Sequence, residues 1–160
     1  MAKKRVYVES SVISYLTARP ARDELNKIRQ RLTALWWERR HEWECVVSPT
    51  VMAEIARGDP EAAARRREKA LSLTEVPVSS EADMLVDLLV LHKLVPESVR
   101  TDAVHLAMAA VHGMHYLLTW NQKHLDNLDL RSRIEELIRK HGWEPAKVIT
   151  PERLLLEESP

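Results

Sequence analysis

The chain's 160 residues are 45% hydrophobic and 30% charged, enough apolar material for the core of one domain over residues 1–160, which excludes wholesale disorder. Its 24 Lys and Arg balance 24 Asp and Glu, which excludes a globally basic nucleic-acid binder but leaves room for a local basic patch. No run approaches the roughly 18 apolar residues of a membrane span. The single cysteine, Cys45, permits no internal disulfide and fits a reducing cytoplasm, and three glycines cannot build a Gly-rich phosphate loop.

Residues 5–9 (RVYVE) read as a first strand that follows the basic start without the apolar segment of a secretory signal. A short helix runs from Ser11 to before Pro20. Residues 21–41 form a long amphipathic segment with Leu25, Ile28, Leu32, Leu35 and Trp36 at helical spacing. Residues 44–48 (ECVVS) are a second strand. Ser48 and Pro49 are the N-cap and first residue of a helix that passes Glu54 and Ile55 and stops at Gly58. A polar helix over 61–71 carries the densest basic cluster, Arg65, Arg66, Arg67 and Lys69, in a half of the chain (1–70) with 15 Lys and Arg against 10 Asp and Glu.

Residues 74–78 are a third strand, weakened by Pro77. Ser80 opens the next helix, with Asp83 at the capping-box position and Ala82, Leu85, Val86 and Leu89 as its buried stripe. A helix over 101–112 closes at Gly113, and 115–120 is a continuous apolar run expected of a central strand. A helix over 131–141 ends in a basic turn before Gly142, 147–150 is a last strand, and Thr150-Pro151 starts a terminal helix. The alternation of strands and helices predicts an α/β domain with a mainly parallel sheet.

In such a sheet the C-terminal ends of the strands and the starts of the following helices share one edge, where ligands bind. Glu9 ends the first strand, Glu54 lies about a turn and a half into the helix after the second, and Asn121 ends the 115–120 strand, so the three converge there. Asp102 opens its own helix, which periodicity alone does not bring to that edge. Each residue also has a purely structural reading: helix-end charge for Asp102, solvated surface for Glu54, edge protection for Glu9, turn capping for Asn121. Two carboxylates 4 Å apart repel by roughly 4 kcal/mol at an effective dielectric of about 20. A hard cation such as Mg²⁺ or Mn²⁺ relieves that repulsion, and such a site suits phosphodiester hydrolysis.

Three segments carry a resemblance. RVYVESSVISYL resembles the first motif of PIN domains, VVSPTVMAEIARG the segment holding that family's second acid, and RTDAVHLAMAAVHGMHYLLTWNQKHLDN its Asp-Ala-x-His-x-Ala helix, strand and Thr-Trp-Asn ending; VITPERLL is also typical. The resemblance spans nearly the whole chain. It implies a three-layer α/β/α sandwich with a central, mainly parallel sheet and a Mg²⁺- or Mn²⁺-dependent ribonuclease similar to the toxins of VapBC-type toxin–antitoxin pairs. It implies RNA and a cognate antitoxin as partners, with a homodimer as a further expectation. Glu9, Glu54 and Asp102 take the places of the first three acids, and Asn121 falls where many members carry a fourth. Ser10 and Ser11 match the polar pair beside the first acid, and Thr119 lies near the same edge. The sequence departs from the pattern in having Glu9 for the commoner Asp and a neutral amide at Asn121. The competing expectation is a degenerate PIN domain that binds RNA or protein without cleaving.

Arg65, Arg66 and Arg67, or their fellows Arg39 and Arg40, are candidates for meeting RNA phosphate on its way to the acidic edge. Cys45 reads as an inert strand residue, His105 as a packed, hydrogen-bonded histidine, and His112 and His115 lack the further soft ligands of a zinc site. Trp36 continues the stripe of residues 21–41 that is expected to be buried, and core packing is the expectation for Trp37.

Overall fold

Val6, Tyr7 and Val8 are fully buried because the strand they form lies at the centre of the sheet, covered on both faces. The structure is a computed structural model that describes residues 2–122 and 127–157; residues 123–126 of the third motif lie outside the described residues. In chain order the elements are β1 (Arg5–Val8), α1 (Ser10–Thr17), α2 (Glu24–Glu38), β2 (Glu44–Val47), α3 (Pro49–Ile55), α4 (Pro60–Ala70), β3 (Thr74–Glu75), α5 (Ser80–Leu91), α6 (Arg100–Val111), β4 (Tyr116–Leu118), α7 (Leu128–Lys140), β5 (Lys147–Ile149) and α8 (Pro151–Glu157).

The strand order is β3-β2-β1-β4-β5, and every pairing is parallel. The chain builds outward from β1 to β3, crosses back through α5 and α6, and then builds outward the other way through β4 and β5. The direction therefore reverses between β1 and β4, which pair with Val8 opposite Leu118. That switch point opens a crevice at the strand C-termini. Helix α1 packs against α2, α3 and α4, and α2 against α8, while α5 packs against α6 and α7. The result is the expected three-layer α/β/α sandwich.

Local signals explain most element ends. Ser48 Oγ accepts from Val51 N at 3.2 Å, and Pro49 follows as the first residue of α3. Gly113 turns the chain from α6 into β4 with φ +70°, where the Arg5 guanidinium lies 3.7 Å from the place a Cβ would take. Several boundaries differ from the expectation, three of them for a plain local reason. The third strand stops at Glu75, since Val76 N makes the last ladder bond, to Val47 O, and Pro77 has no N–H to continue it. The cap of α5 is Ser79 rather than Ser80: its Oγ accepts from Ala82 N at 3.2 Å, so Asp83 is not in a capping box. Helix α7 starts a turn earlier than Arg131, because Asn127 Oδ1 caps it by accepting from Leu130 N at 3.1 Å.

The apolar stripe of α2 also behaves differently from expectation. Trp36 is fully buried, but Leu25, Ile28 and Leu35 are 58%, 43% and 53% exposed. The inward face is instead Asn26, Arg29, Thr33 and Trp36, rotated by one residue, about 100°, from the stripe. Its polar members are satisfied by the elements beneath: Asn26 Oδ1 accepts from Tyr15 Oη at 2.8 Å, and Thr33 Oγ1 accepts from Trp120 Nε1 at 2.9 Å.

This placement sets an expected contrast. Leu118→Ala, in a wholly buried strand, should lower unfolding free energy in urea by about 2–5 kcal/mol. Leu35→Ala should change it by less than about 0.5 kcal/mol. Equal losses would mean that the outer stripe of α2 is buried after all.

Candidate metal site

Glu9 sits one residue beyond β1, at the switch point, and is only 8% exposed. Its backbone is extended (φ −83°, ψ 157°) and makes it the N-cap of α1. One carboxylate oxygen accepts from Ser10 Oγ at 2.7 Å and Ser11 N at 3.1 Å; the other accepts from Ser11 Oγ and from Thr119 Oγ1 at 2.6 Å. Four donors from the start of α1 and the end of β4 thus surround one buried charge. Burial by itself would raise the Glu9 pKa, but the hydrogen bonds from Ser11, Thr119 and Ser10, with His105 nearby, outweigh it and hold the carboxyl below its ordinary value. The polar pair of the first motif and Thr119 therefore lie against Glu9. Thr119 Oγ1 also accepts from Asn121 N at 2.9 Å, which fixes the turn leaving β4.

Glu54 is held from the other side. It extends from α3 toward α6, where its Oε1 stands 2.8 Å from His105 Nε2. The two atoms are at ion-pair distance but are not aligned as a linear hydrogen bond, and both are buried. His105 Nδ1 is 2.6 Å from Tyr7 Oη, which is also 2.6 Å from Ser48 Oγ. Burial chiefly, with the nearby carboxylates of Glu54 and Glu9, pushes the Tyr7 phenol well above its ordinary pKa despite the Ser48 bond, so it stays protonated. With a cation at His105 Nε2 the ring proton sits on Nδ1 and donates to Tyr7 Oη, which donates to Ser48 Oγ; with no cation a proton on Nε2 faces Glu54 and the same contacts run in the opposite direction. One chain of polar contacts then runs from the cap of α3 through the central strand to α6 and returns to Glu54.

Ligand atoms of Glu9, Glu54 and His105 lie within 4.8 Å of one another, so these three could hold a metal ion. The buried Glu54 Oε1 and His105 Nε2, with no aligned partner, are what a cation between them would satisfy. From the sequence alone His105 is expected only as a packed, hydrogen-bonded residue. It is 4% exposed and bonded to Tyr7, as expected, yet its other nitrogen faces the acids. The available signal was its position three residues after Asp102, one turn along the same helix face.

Asp102, in the first turn of α6, lines a cavity of about 150 Å³ together with Glu9, His105, Thr119 and Asn121. The far wall of that cavity is apolar, formed by residues that include Leu94, Leu106, Leu117 and Ile134. Asp102 is thus brought to the same crevice, although its carboxylate is not part of the group within 4.8 Å. Asn121 is exposed at the rim.

The basic cluster lies elsewhere. Arg66 Nε donates to Ile55 O at 2.9 Å and its Nη2 to Arg57 O at 2.6 Å, so it caps the C-terminal carbonyls of α3. Arg65 Nε reaches Thr17 O, at the end of α1 farthest from Glu9, at 3.4 Å; Arg67 is exposed. Arg39 pairs with Glu42, and Arg40 lies 4.1 Å over the Trp37 ring. Both precede β2, at the edge where strands begin, so they do not line the approach to Glu9. Burial pushes the Cys45 thiol up to about 12, in keeping with an inert residue. His112 meets Pro77 O and His115 Nδ1 accepts from Arg5 N, which accounts for both without a metal.

The lowered Glu9 pKa has a definite sign. Its hydrogen bonds contribute stability that is present above the ordinary value of 4.5 and is lost as pH falls through the lower folded-state value. Glu9→Gln should cost about 1–3 kcal/mol at neutral pH and flatten the fall in stability between about pH 5 and pH 3. Denaturant titrations across that range measure both; an unchanged acid profile would show that the buried group does not titrate as an ionised acid.

No protein-family model matches this chain, and no curated protein matches it by sequence. Solved structures do. The VapC20 toxin of Mycobacterium tuberculosis, which cleaves the sarcin–ricin loop, aligns with 74% of this chain and 92% of its own at a TM-score of 0.56 and 19% identity. VapBC2 of Rickettsia felis, solved bound to a DNA fragment of its promoter, aligns with 91% of this chain and 98% of its own at a TM-score of 0.56 and 13% identity. At those identities the likeness is one of fold: the chain has the PIN-domain fold of VapC toxins.

Proposed function

We propose that the chain is one PIN-like domain that cleaves RNA with a divalent metal ion, as the cytoplasmic toxin of a toxin–antitoxin pair. The observation that carries this reading is the convergence of Glu9, Glu54 and His105 within 4.8 Å at the switch point of a VapC-type fold. Asp102 and Asn121, on the cavity beside them, complete the ligand set. Carboxylate and amide oxygens suit Mg²⁺ or Mn²⁺, and an imidazole in the group favours Mn²⁺. A divalent ion there supplies charge neutralisation for phosphate and acidifies a water for attack on phosphorus. Ser10, Ser11 and Thr119 keep Glu9 ionised and oriented, while His105, backed by Tyr7 and Ser48, orients Glu54. Arg65, Arg66 and Arg67 offer positive charge to phosphates farther along the strand.

A second reading has its own support. The four donors around Glu9 match the roughly four lone-pair sites of a carboxylate, so Glu9 already serves fully as a helix cap. In that case the domain binds RNA without cutting it. Cleavage of single-stranded RNA in Mn²⁺, Mg²⁺ and chelator separates the two. The nuclease reading expects metal-dependent cleavage that Asp102→Asn lowers by about 100-fold or more. Glu9→Asp should keep or raise activity and Glu9→Gln should lower it. Divalent ions should raise the melting temperature of the wild type more than that of Asp102→Asn. RNA binding with no cleavage under any metal would select the second reading.

The antitoxin is supported by the outer stripe of α2. Leu25, Ile28 and Leu35 are exposed at helical spacing with Leu32 half-buried among them, and Lys27 and Arg31 flank them, so the face suits an amphipathic helix with acidic edges. Ile28→Asp with Leu35→Asp should weaken binding of the protein encoded beside this gene by at least about tenfold while leaving cleavage intact. Unchanged affinity would move the partner to another face.

A further inference from the structure

The acidic edge repels the phosphates that the proposed nuclease must bring to it, so a cation close by has to hold the strand. In the basic cluster on α4, Arg65 reaches the far end of α1 and Arg66 is committed to the carbonyls of Ile55 and Arg57. A different group is linked to the site through Ser11. Arg29, on the inward face of α2, has its guanidinium carbon 5.9 Å from the centre of the Tyr15 ring and 5.5 Å from that of Trp120. The two rings meet edge to face, 5.9 Å apart.

This trio is tied to the Glu9 cradle by two short links. Trp120 directly follows Thr119, and its N–H donates at 2.9 Å to Ser11 Oγ, the same hydroxyl that donates to Glu9. Tyr15 is four residues after Ser11, so both lie on one face of α1, with Cβ atoms about 5–6 Å apart. The platform thus begins about one helical turn from the Glu9 carboxylate.

Among the described residues Arg29 also has no carboxylate partner. Arg39, Arg100 and Arg139 each pair with a carboxylate. The side-chain hydrogen bond of Arg29 among the described residues goes to a neutral phenol, Tyr15 Oη, at 3.1 Å, and uses one of its five N–H donors. Tyr15 Oη in turn donates to Asn26 Oδ1, and Trp120 Nε1 to Thr33 Oγ1, so both rings are fixed by α2. Arg29, Tyr15 and Trp120 are all half-buried, and each keeps an accessible part. A fixed guanidinium fork recognises a phosphate diester, and ring faces beside it accept an unstacked base.

We propose that Arg29, held on Tyr15 and Trp120, is a binding subsite for single-stranded RNA that grips a phosphate of the substrate next to the scissile one. The inference rests on the nuclease reading for its substrate class but is tested without catalysis. A labelled single-stranded RNA of mixed sequence is titrated at several salt concentrations in chelator. Arg29→Gln should weaken binding on the order of tenfold and flatten the log–log salt slope by about 0.7. Lys140→Gln, an exposed change at the end of α7, should leave affinity and slope unchanged. Arg29→Lys keeps the stem over the rings and covers failure of the Gln variant to fold; it should retain the slope while affinity falls several-fold. An Arg29→Gln slope equal to wild type, an equal loss in Lys140→Gln, or an Arg29→Lys protein with wild-type affinity overturns the subsite. Arg29-dependent binding without metal-dependent cleavage leaves the subsite standing and removes the nuclease reading. Cleavage with an Arg29-independent slope does the reverse.

Discussion

An ionised carboxylate buried at the end of the central strand is the constraint around which this fold is arranged. Glu9 continues a strand with no exposed residue in its last three positions, and a charge there is tolerable only if donors surround it. The β1–β4 pairing supplies the arrangement: Glu9 N donates to Leu118 O, which sets Thr119 against the carboxylate, and Thr119 N in turn donates to Ile149 O of β5. The start of α1 brings the other three donors. The join of three strands and a helix cap is thus the same set of atoms as the first half of the site.

The second half is fixed by different means. Glu54 comes from a seven-residue helix that could not hold a side chain rigidly alone. Its position depends on His105, and that of His105 on Tyr7, whose hydroxyl is buried among protein groups. Tyr7 lies two residues before Glu9, whose extended backbone continues the line of β1, and so on the same side of the pleat. Alternation along β1 therefore couples both halves: the residue that supports Glu54 and the residue that caps α1 point the same way. Removal of the Tyr7 hydroxyl would leave a buried imidazole nitrogen unmatched, a cost separate from any effect on chemistry.

The order of elements, the parallel sheet, the Ser48 cap and the gathering of Glu9 and Glu54 at one edge were all legible in the sequence, because each rests on local pattern or on a general property of open sheets. What was not legible depends on contacts between distant segments. Tyr7 and His105 are 98 residues apart, and Tyr7 and Ser48 are 41 apart. The neighbourhood of His105 offers its place one turn after Asp102 but no sign that a phenol holds it. The α2 stripe was misread for a similar reason: spacing fixes the angular position of an apolar face but not the surface it meets. Here the polar face turned inward because Tyr15 and Trp120 offered it hydrogen bonds. The Glu9 carboxylate, one methylene longer than the commoner Asp, reaches back to Ser11 N while also meeting Thr119.

The rotation of α2 gives the fold a second consequence. Its inward face presents Arg29 to Trp120, whose N–H is bonded to the Ser11 hydroxyl of the Glu9 cradle, and its outward face, one residue's rotation away, presents Leu25, Ile28 and Leu35 to solvent. One helix then carries both the charge proposed to hold RNA and the apolar surface proposed to hold a protein partner. Its inner attachment adds to the buried Trp36 hydrogen bonds and ring contacts, which have stricter geometry than an apolar seam. A partner that packed against the outer stripe and shifted α2 would move Arg29 relative to Ser11 and Glu9. Inhibition on the proposed reading would then need no partner group inside the crevice: displacing the helix that carries the phosphate grip would weaken substrate binding while leaving the three converging ligands where β1, α3 and α6 put them.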